Sequence, residues 1–193
     1  MILPVVRFGH PVLRQKGARI ESVTLTIKQL IADMFETMYA NKGIGLAAQQ
    51  VGQPLQLTVI DVRGATDRPS SLELKGKPAD VPDFMPLVLI NPEIQRMGDP
   101  LPGAEGCLSF PEIFADILRP EFAQVKALNE SGKPFEFRCG GLLARAVQHE
   151  VDHLNAILFI DRMDKKSKEA LRPELESLQA ATKAELQEKK LKR

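Results

Sequence analysis

The sequence predicts an α+β fold, in which mainly antiparallel strands pack around one central helix and a further helix closes the chain. Hydrophobic residues recur at helical spacing in two segments, and short strand-like segments lie before and between them. The strand-like segments are joined by hairpin turns rather than by crossover helices. With 193 residues, 44% of them hydrophobic, the chain can bury one core. We divide it into a main domain over 1–164 and a charged helical tail over 165–193.

The charge and hydropathy of the chain exclude several classes of protein. A formal net charge of +1 argues against a DNA-binding surface, and the longest apolar runs, such as 87–90 and 157–160, are too short to cross a membrane. The first residues lack the features of a secretory signal, and two cysteines are too few for a disulfide framework. We therefore expect a cytoplasmic protein with no DNA partner and no membrane partner.

The first half of the chain predicts one helix and two strands. The helix spans about 25–41, and its apolar stripe consists of Ile27, Leu30, Ile31, Met34, Phe35 and Met38. The strands lie at 55–62 and at 87–90, where Asn91-Pro92 marks a break. Between them, 63–86 carries four prolines among charges and serines. We expect an irregular insertion there and favour disorder over function.

The second half predicts a hairpin followed by a helix. Strands at 122–128 and 135–139 are joined across 129–133, which is rich in residues that tolerate turns. Gly140-Gly141 ends the second strand, and a helix follows from Leu142.

The tail has a different composition from the rest of the chain. From Lys165 onward it is charged and helical, with an interruption or restart at Pro173. Leu171, Leu175 and Leu178 form a narrow apolar stripe on it.

The helix after the hairpin carries the most informative motif, His149-Glu150-Val151-Asp152-His153. Two imidazoles four residues apart project from one helical face and can bind one metal ion. Glu150 lies about 100° around the helix from His149 and about 60° from His153, so its carboxylate can reach a water on that ion without being a ligand. This arrangement is typical of metal hydrolases. Alone, the pattern also fits two histidines on a half-buried helix that binds nothing.

A catalytic metal site normally has three protein ligands, so the histidine pair needs a partner. The candidates are His10, Cys107 and Cys139. Cys139 is explained by its strand as a small buried residue, and His10 by a turn before Pro11. Cys107 follows Gly106 and belongs to no alternating pattern, so we favour it as the third ligand. A thiolate with two imidazoles is compatible with Fe(II), Zn(II), Co(II) or Ni(II).

A glycine-rich segment at 43–50 is the second candidate for function. It follows a helix and lacks the third glycine of a dinucleotide loop, so a nucleotide site is not indicated. The segment can be a packed turn, or its small residues can let the backbone approach a substrate. In the second interpretation Gln49 directs an amide donor into the cleft, where hydrolysis of an amide would create an oxyanion.

Three segments together resemble the signature motifs of peptide deformylase, in that family's order and with similar intervals. They read Gly43-Ile44-Gly45-Leu46-Ala47-Ala48-Gln49, Glu105-Gly106-Cys107-Leu108-Ser109 and Gln148-His149-Glu150-Val151-Asp152-His153. The resemblance covers about 1–164, as a catalytic metallohydrolase domain, and leaves out the insertion at 63–86 and the tail. It implies removal of the N-formyl group from the initiator methionine of nascent chains, with release of formate.

The resemblance also implies roles for individual residues. Cys107, His149 and His153 would hold the metal, with Fe(II) as the native ion, and Glu150 would be the general base. Gln49 and the backbone N–H of Leu108 would form the oxyanion hole. Ile44, Gly45, Leu142 and Ala146 would contact the formyl-methionyl peptide.

Two positions depart from the family pattern. Phe114 stands where many relatives carry an arginine that helps to hold the peptide, and Arg145 stands at a usually apolar position of the methionine pocket. Because Arg145 lies about 40° from His149 around the helix, we expect it on the metal-facing side. We predict that it takes over part of the peptide-holding role at the cleft rim, and the alternative is an ion pair with an acid such as Glu105 or Glu112.

Two alternatives to a deformylase stay open at this stage. One is another small metallopeptidase or amidase, which would need a third histidine or glutamate after His153. The other is a non-catalytic metal-binding protein associated with the ribosome, which would not need Glu150. The end of the tail has an excess of positive charge, and the resemblance implies that this helix binds the ribosome, while a merely solvated helix is the alternative. Its charged residues are Lys183, Lys189, Lys190, Lys192 and Arg193 against Glu185 and Glu188.

Overall fold

The structure is a computed structural model, and it describes residues 1–191. The four α-helices in this range are α1 (Leu25–Ala40), α2 (Gly141–Leu154), α3 (Lys165–Ala170) and α4 (Arg172–Leu191). The strands are β1 (Gly45–Ala47), β2 (Leu57–Ile60), β3 (Ser70–Leu74), β4 (Lys77–Pro78), β5 (Leu87–Leu101), β6 (Ala104–Cys107), β7 (Phe110–Asp116), β8 (Arg119–Leu128) and β9 (Pro134–Gly140).

The strands form two antiparallel sheets. The larger sheet has the order β1-β2-β5-β8-β9-β3-β4, and the smaller consists of β6 and β7. The α+β prediction with mainly antiparallel strands and a C-terminal helix is therefore confirmed.

Helix α1 forms where the apolar stripe predicts it. The side chain of Thr24 accepts a hydrogen bond from the backbone N–H of Ile27 and so caps the first turn. Met34 and Met38 are fully buried against Leu46 and Leu57. This contact places the end of α1 beside the glycine-rich segment.

The predicted break at Asn91-Pro92 is a bulge inside a longer strand. β5 runs on to Leu101, and its pairing with β8 shifts between Ile90 and Glu93. Asn91 takes a left-handed conformation with φ of 51°. Its side chain accepts from the backbone N–H of Ile20 and donates to the carbonyl of the same residue. The bulge is held in place because this exchange ties Asn91 to Ile20, while the backbone N–H of Asn91 donates to the carbonyl of Gln56.

The expectation of an irregular or disordered insertion at 63–86 is wrong for its middle part. β3 pairs with β9, where Ser71 lies opposite Gly140, and Leu72 is buried in the core. β4 is the edge strand of the large sheet, and this explains why Pro78 is tolerated in it. The insertion therefore extends the large sheet.

Helix α2 packs on the large sheet through a continuous apolar face. Leu142, Leu143 and Val147 join one core cluster with Val125 and Phe137 from the hairpin of β8 and β9. The helix begins at Gly141, which has φ of 63°, and a Cβ there would lie 2.3 Å from the carbonyl oxygen of Pro69. Only glycine fits at the first residue of α2, because the backbone of the insertion lies directly against it.

The tail is helical, as predicted, but its first half belongs to the main fold. Leu175 is buried, and Leu171 and Leu178 pack beside it against a core cluster that includes Leu13 and Phe159. Lys192 and Arg193, which are part of the predicted basic end, lie outside the described residues. No helix within 1–191 is long and apolar enough to span a membrane.

Candidate metal centre

The three predicted ligands meet in space. His149 and His153 lie one turn apart on α2, and Cys107 is the last residue of β6. One ligand atom from each residue lies within 4.8 Å of the other two, and Cys107 Sγ is 3.3 Å from His153 Nε2. Both histidines are buried, while Cys107 is half-buried. The set has the donor types and the closeness that one divalent ion requires.

His149 is oriented by a buried carboxylate. Its Nδ1 lies 2.9 Å from Glu105 Oε2, so donation of the Nδ1 proton leaves Nε2 for a metal. Arg119 binds the same carboxylate through two hydrogen bonds, of 2.6 and 2.9 Å. Burial acts to raise the pKa of Glu105, but hydrogen bonds from His149 and Arg119 outweigh it and hold the pKa well below its usual range. This role of Glu105 was not predicted. Its position two residues before the candidate ligand Cys107 could have indicated that its carboxylate lies near the metal site.

The acid inside the histidine motif, Asp152, has a structural role. It is buried and accepts hydrogen bonds from Arg96, Arg119 and Arg162 at distances between 2.7 and 2.9 Å. Because Arg119 binds both Asp152 and Glu105, one buried guanidinium connects α2 with β6. Arg119, Glu105 and Asp152 are therefore each paired, as burial of a charge in a low dielectric requires.

Glu150 is buried and points toward the backbone of β1. Its Oε2 has no hydrogen-bond partner among residues 1–191, and burial raises its pKa to about 7. A Cβ on Gly45 would lie 2.3 Å from Glu150 Oε1. Glycine at this position is therefore what lets the carboxylate reach the cleft.

The prediction that Gln49 points into the cleft is wrong, because Gln50 does so instead. The two residues lie in a 3-10 turn over Ala48–Val51, where neighbouring side chains point about 120° apart. Gln50 Nε2 lies 3.4 Å from Cys107 Sγ and 3.3 Å from Ser109 Oγ, and its Oε1 accepts from the N–H of Ala47. Gln49 is fully buried and faces Gly17.

A cavity of about 460 Å³ opens beside the metal ligands. The structure places all five predicted substrate residues and Leu108 in its wall. The lining includes Ile44, Gly45, Leu108, Leu142, Arg145 and Ala146, together with Gln50, Cys107, His149 and Glu150. The apolar part of this wall comes from the first turns of α2, from the segment before β1 and from the hairpin of β6 and β7, which contributes Leu108, Phe110 and Phe114.

Arg145 lies on the metal-facing side as predicted, but its guanidinium is already engaged. Its Nη1 donates to Glu105 Oε1 at 2.9 Å and to the carbonyl of Ile117 at 2.8 Å, while Nη2 donates to the carbonyl of Leu101. The side chain is only 11% exposed. The ion-pair alternative is therefore the better description, and the proposed hold on a peptide is not supported. Arg145 fastens the hairpin of β6 and β7 to α2.

Phe114 forms part of the cleft rim. Its side chain is 67% exposed, and its ring lies over Gly106, where a Cβ would be 2.6 Å from the ring. Gly106 pairs with Phe114 across the two strands of the small sheet. The rim at this point is aromatic and uncharged.

The two rejected ligand candidates lie apart from the metal set. Cys139 is buried in β9, where burial raises the pKa of its thiol to about 12. His10 belongs to a turn, and its Nδ1 accepts from the backbone N–H of Val12.

Comparisons with known proteins agree with this site. The family described as polypeptide deformylase matches residues 2–169. The peptide deformylase of Opitutus terrae is 45% identical over 186 residues, covering 95% of this chain and 96% of the relative, and that of Methylacidiphilum infernorum is 47% identical over 178 residues, covering 92% and 93%. The crystal structure of the peptide deformylase from Thermus thermophilus superposes with a TM-score of 0.78 at 34% identity, covering 94% of this chain and 99% of that one. The chain therefore belongs to the polypeptide deformylase family.

Proposed function

We propose that this chain is a hydrolase of protein biosynthesis that removes the N-formyl group from the initiator methionine of nascent polypeptides and releases formate. One observation carries the proposal: the ligand set of Cys107, His149 and His153 shares a cleft with the buried carboxylate of Glu150, whose Oε2 has no partner among residues 1–191. Membership of the deformylase family supports the same reaction. A metallopeptidase with a third histidine or glutamate ligand is disfavoured, because Cys107 supplies the third donor.

The residues of this ligand set fit one divalent metal ion. Helix α2, which packs on the large sheet, is the proposed metal-binding helix. A thiolate and two neutral imidazoles leave a position open to the cleft. We propose Fe(II) as the native ion, and the same donors accept Zn(II), Ni(II) or Co(II). When bound, the ion supplies a Lewis acid that polarises the formyl carbonyl and lowers the pKa of a water.

Glu150 is the proposed general base and later the proton donor. Its carboxylate accepts a proton from the water whose oxygen bonds to the formyl carbon, and it delivers that proton to the methionine nitrogen as the C–N bond breaks and formate is released. A pKa near neutrality, raised by burial, suits a group that must both accept and release a proton. Gly45 keeps the space that this carboxylate needs.

The oxyanion that forms at the formyl carbon needs hydrogen-bond donors. We assign this role to Gln50 Nε2 and to the backbone N–H of Leu108, with Gln50 in place of the originally predicted Gln49. The bond from Ala47 N–H to Gln50 Oε1 fixes the amide so that Nε2 faces Cys107. A donor held in this way needs little reorganisation when the charge develops.

The apolar wall of the cleft suits the methionine side chain. Leu142 and Ala146 line it from α2, and Ile44 lines it from the opposite segment. The absence of a side chain at Gly45 lets the backbone of the peptide approach β1.

A formate-release assay tests the proposed reaction. Protein purified without oxygen and loaded with Fe(II) should release formate from formyl-Met-Ala-Ser and leave acetyl-Met-Ala-Ser intact. Loss of activity with a chelator and its return with added metal should accompany a metal content near one ion per chain. Metal-loaded protein without formate release would contradict the proposal.

The two cysteines offer a matched test of the ligand set. Cys107→Ser should lose metal affinity, because a serine hydroxyl stays protonated where the thiolate coordinates. Cys139→Ser should keep the metal and lower only the thermal stability, since Cys139 is buried in the core. Oxygen should inactivate the Fe(II) form through the Cys107 thiolate. The metal content of both variants tests the ligand assignment. Loss of metal in Cys139→Ser with retention in Cys107→Ser would refute it.

We propose that the basic end of α4 binds the ribosome. Lys183, Lys189 and Lys190 are exposed on this helix, and an RNA surface would attract them. Replacing all three by glutamate should abolish salt-dependent co-sedimentation with ribosomes, while the same change at Lys165, Lys166 and Lys168 of α3 should not. Binding that persists after the α4 changes would remove this role. A cytoplasmic location follows from such a partner, and cell fractionation can test it.

A further inference from the structure

We propose that Arg68, carried by the insertion, binds a main-chain oxygen of the peptide beyond the formylated methionine. This inference rests on the proposed deformylase function and concerns the peptide part of its substrate. The oxygen is either an internal carbonyl or, in a short peptide, the terminal carboxylate. Both are acceptors that a guanidinium binds well.

The backbone next to Arg68 is anchored to the methionine pocket. The carbonyl of Pro69 accepts a hydrogen bond of 2.9 Å from the backbone N–H of Leu142, and Ser70 Oγ accepts one from the backbone N–H of Leu143. Leu142 is a residue of the apolar wall. Arg68 therefore starts from a fixed point beside the pocket rather than from a free loop.

The side chain of Arg68 reaches the cleft wall and keeps donors available. It lines the cavity and donates one hydrogen bond of 3.3 Å, from Nη1 to the carbonyl of Ala104 in β6. Within 1–191 it forms no ion pair. A guanidinium has five N–H donors, so Nη2 and Nε remain for a ligand.

The other cations of the cavity are less suited to this role. Arg145 also lines the cleft, but its donors are bound by Glu105 and by backbone carbonyls. Lys42 is exposed in the turn after α1 and offers a single flexible ammonium group. Phe114 contributes an uncharged ring to the rim. Arg68 is thus the guanidinium at this cleft that can still bind a peptide oxygen.

The test compares KM for three substrates in wild type and variants: formyl-Met, formyl-Met-Ala-Ser and the C-terminal amide of formyl-Met-Ala-Ser. Arg68→Ala should raise KM for the tripeptide about tenfold more than for formyl-Met, with kcat little changed, as the loss of a charged hydrogen bond predicts. Arg68→Lys should recover part of this difference. Lys77→Ala, at an exposed position of the same insertion, is the control and should match wild type.

The amide separates the two kinds of oxygen. If amidation leaves the Arg68→Ala effect intact, the ligand is a carbonyl, and if amidation removes the effect, it is the carboxylate. An equal change of KM on all three substrates, or a tripeptide effect in Lys42→Ala but not in Arg68→Ala, would overturn the inference. Failure of the proposed function would look different, because wild type would then release no formate from any substrate.

Discussion

Glu150→Gln should bind metal and fold normally but lose formate release by several orders of magnitude. The change keeps the shape of the side chain, which matters because Gly45 leaves no spare room around the carboxylate. It removes the carboxylate to which we assign the proton of the attacking water. General acid-base catalysis alone is worth roughly 10²–10⁴-fold, and in the proposed mechanism this carboxylate both accepts and donates the proton.

A matched acid in the same cleft controls for the loss of charge. Glu112 lines the cavity and is exposed at its rim, and it has no role in the proposed chemistry. Glu112→Gln should keep kcat near the wild-type value. Metal content and thermal unfolding must be measured beside kcat for both variants. Near-normal turnover by a fully metal-loaded Glu150→Gln enzyme would end the mechanism proposed for this site.

The histidine pair of the ligand set could be predicted from sequence because it depends on local geometry. His149 and His153 share one helical face whatever the rest of the fold does, and the helix itself has a clear apolar period. Cys107 was selected because Gly106 and the lack of alternation left its thiol without a structural explanation. In the structure these three residues meet as predicted.

The insertion was wrongly expected to be disordered, because its place in the sheet depends on residues that are distant in the sequence. β3 is a short segment with weak local propensity, and it forms by pairing with β9, more than sixty positions later in the chain. The prolines that suggested disorder are compatible with an edge strand and with the turns around it. The hairpin of β3 and β4 has a local signal, since Leu72 and Leu74 alternate before a two-residue turn at Lys75-Gly76, but nothing within 63–86 indicates that β3 pairs with β9.

The partners of the Arg145 side chain also depend on residues that are distant in the sequence. The helical angle placed it correctly on the metal-facing side of α2. Its partners, however, are Glu105 in β6 and the carbonyls of Leu101 at the end of β5 and Ile117 just after β7. Whether Arg145 binds substrate or forms an ion pair depends on these neighbouring residues. Its angle around the helix alone therefore allowed both.

Gln50→Ala should lower kcat by about 10²–10³-fold, which is the usual cost of removing one oxyanion donor. Its amide lies beside Cys107 and is held by Ala47, so the donor is already aimed before substrate arrives. KM should change less than kcat, because the oxyanion exists only in the transition state.

Gln49→Ala is the adjacent control. Gln49 is fully buried, and neither of its side-chain polar atoms has a partner among residues 1–191. Its loss should alter thermal stability through packing and leave kcat near wild type. Both variants should retain metal, so metal analysis excludes an indirect effect through Cys107. Loss of kcat in Gln49→Ala with normal turnover in Gln50→Ala would return the oxyanion role to Gln49. The opposite result would show that one step along a 3-10 turn separates a glutamine that faces Gly17 from a catalytic one that lines the cavity.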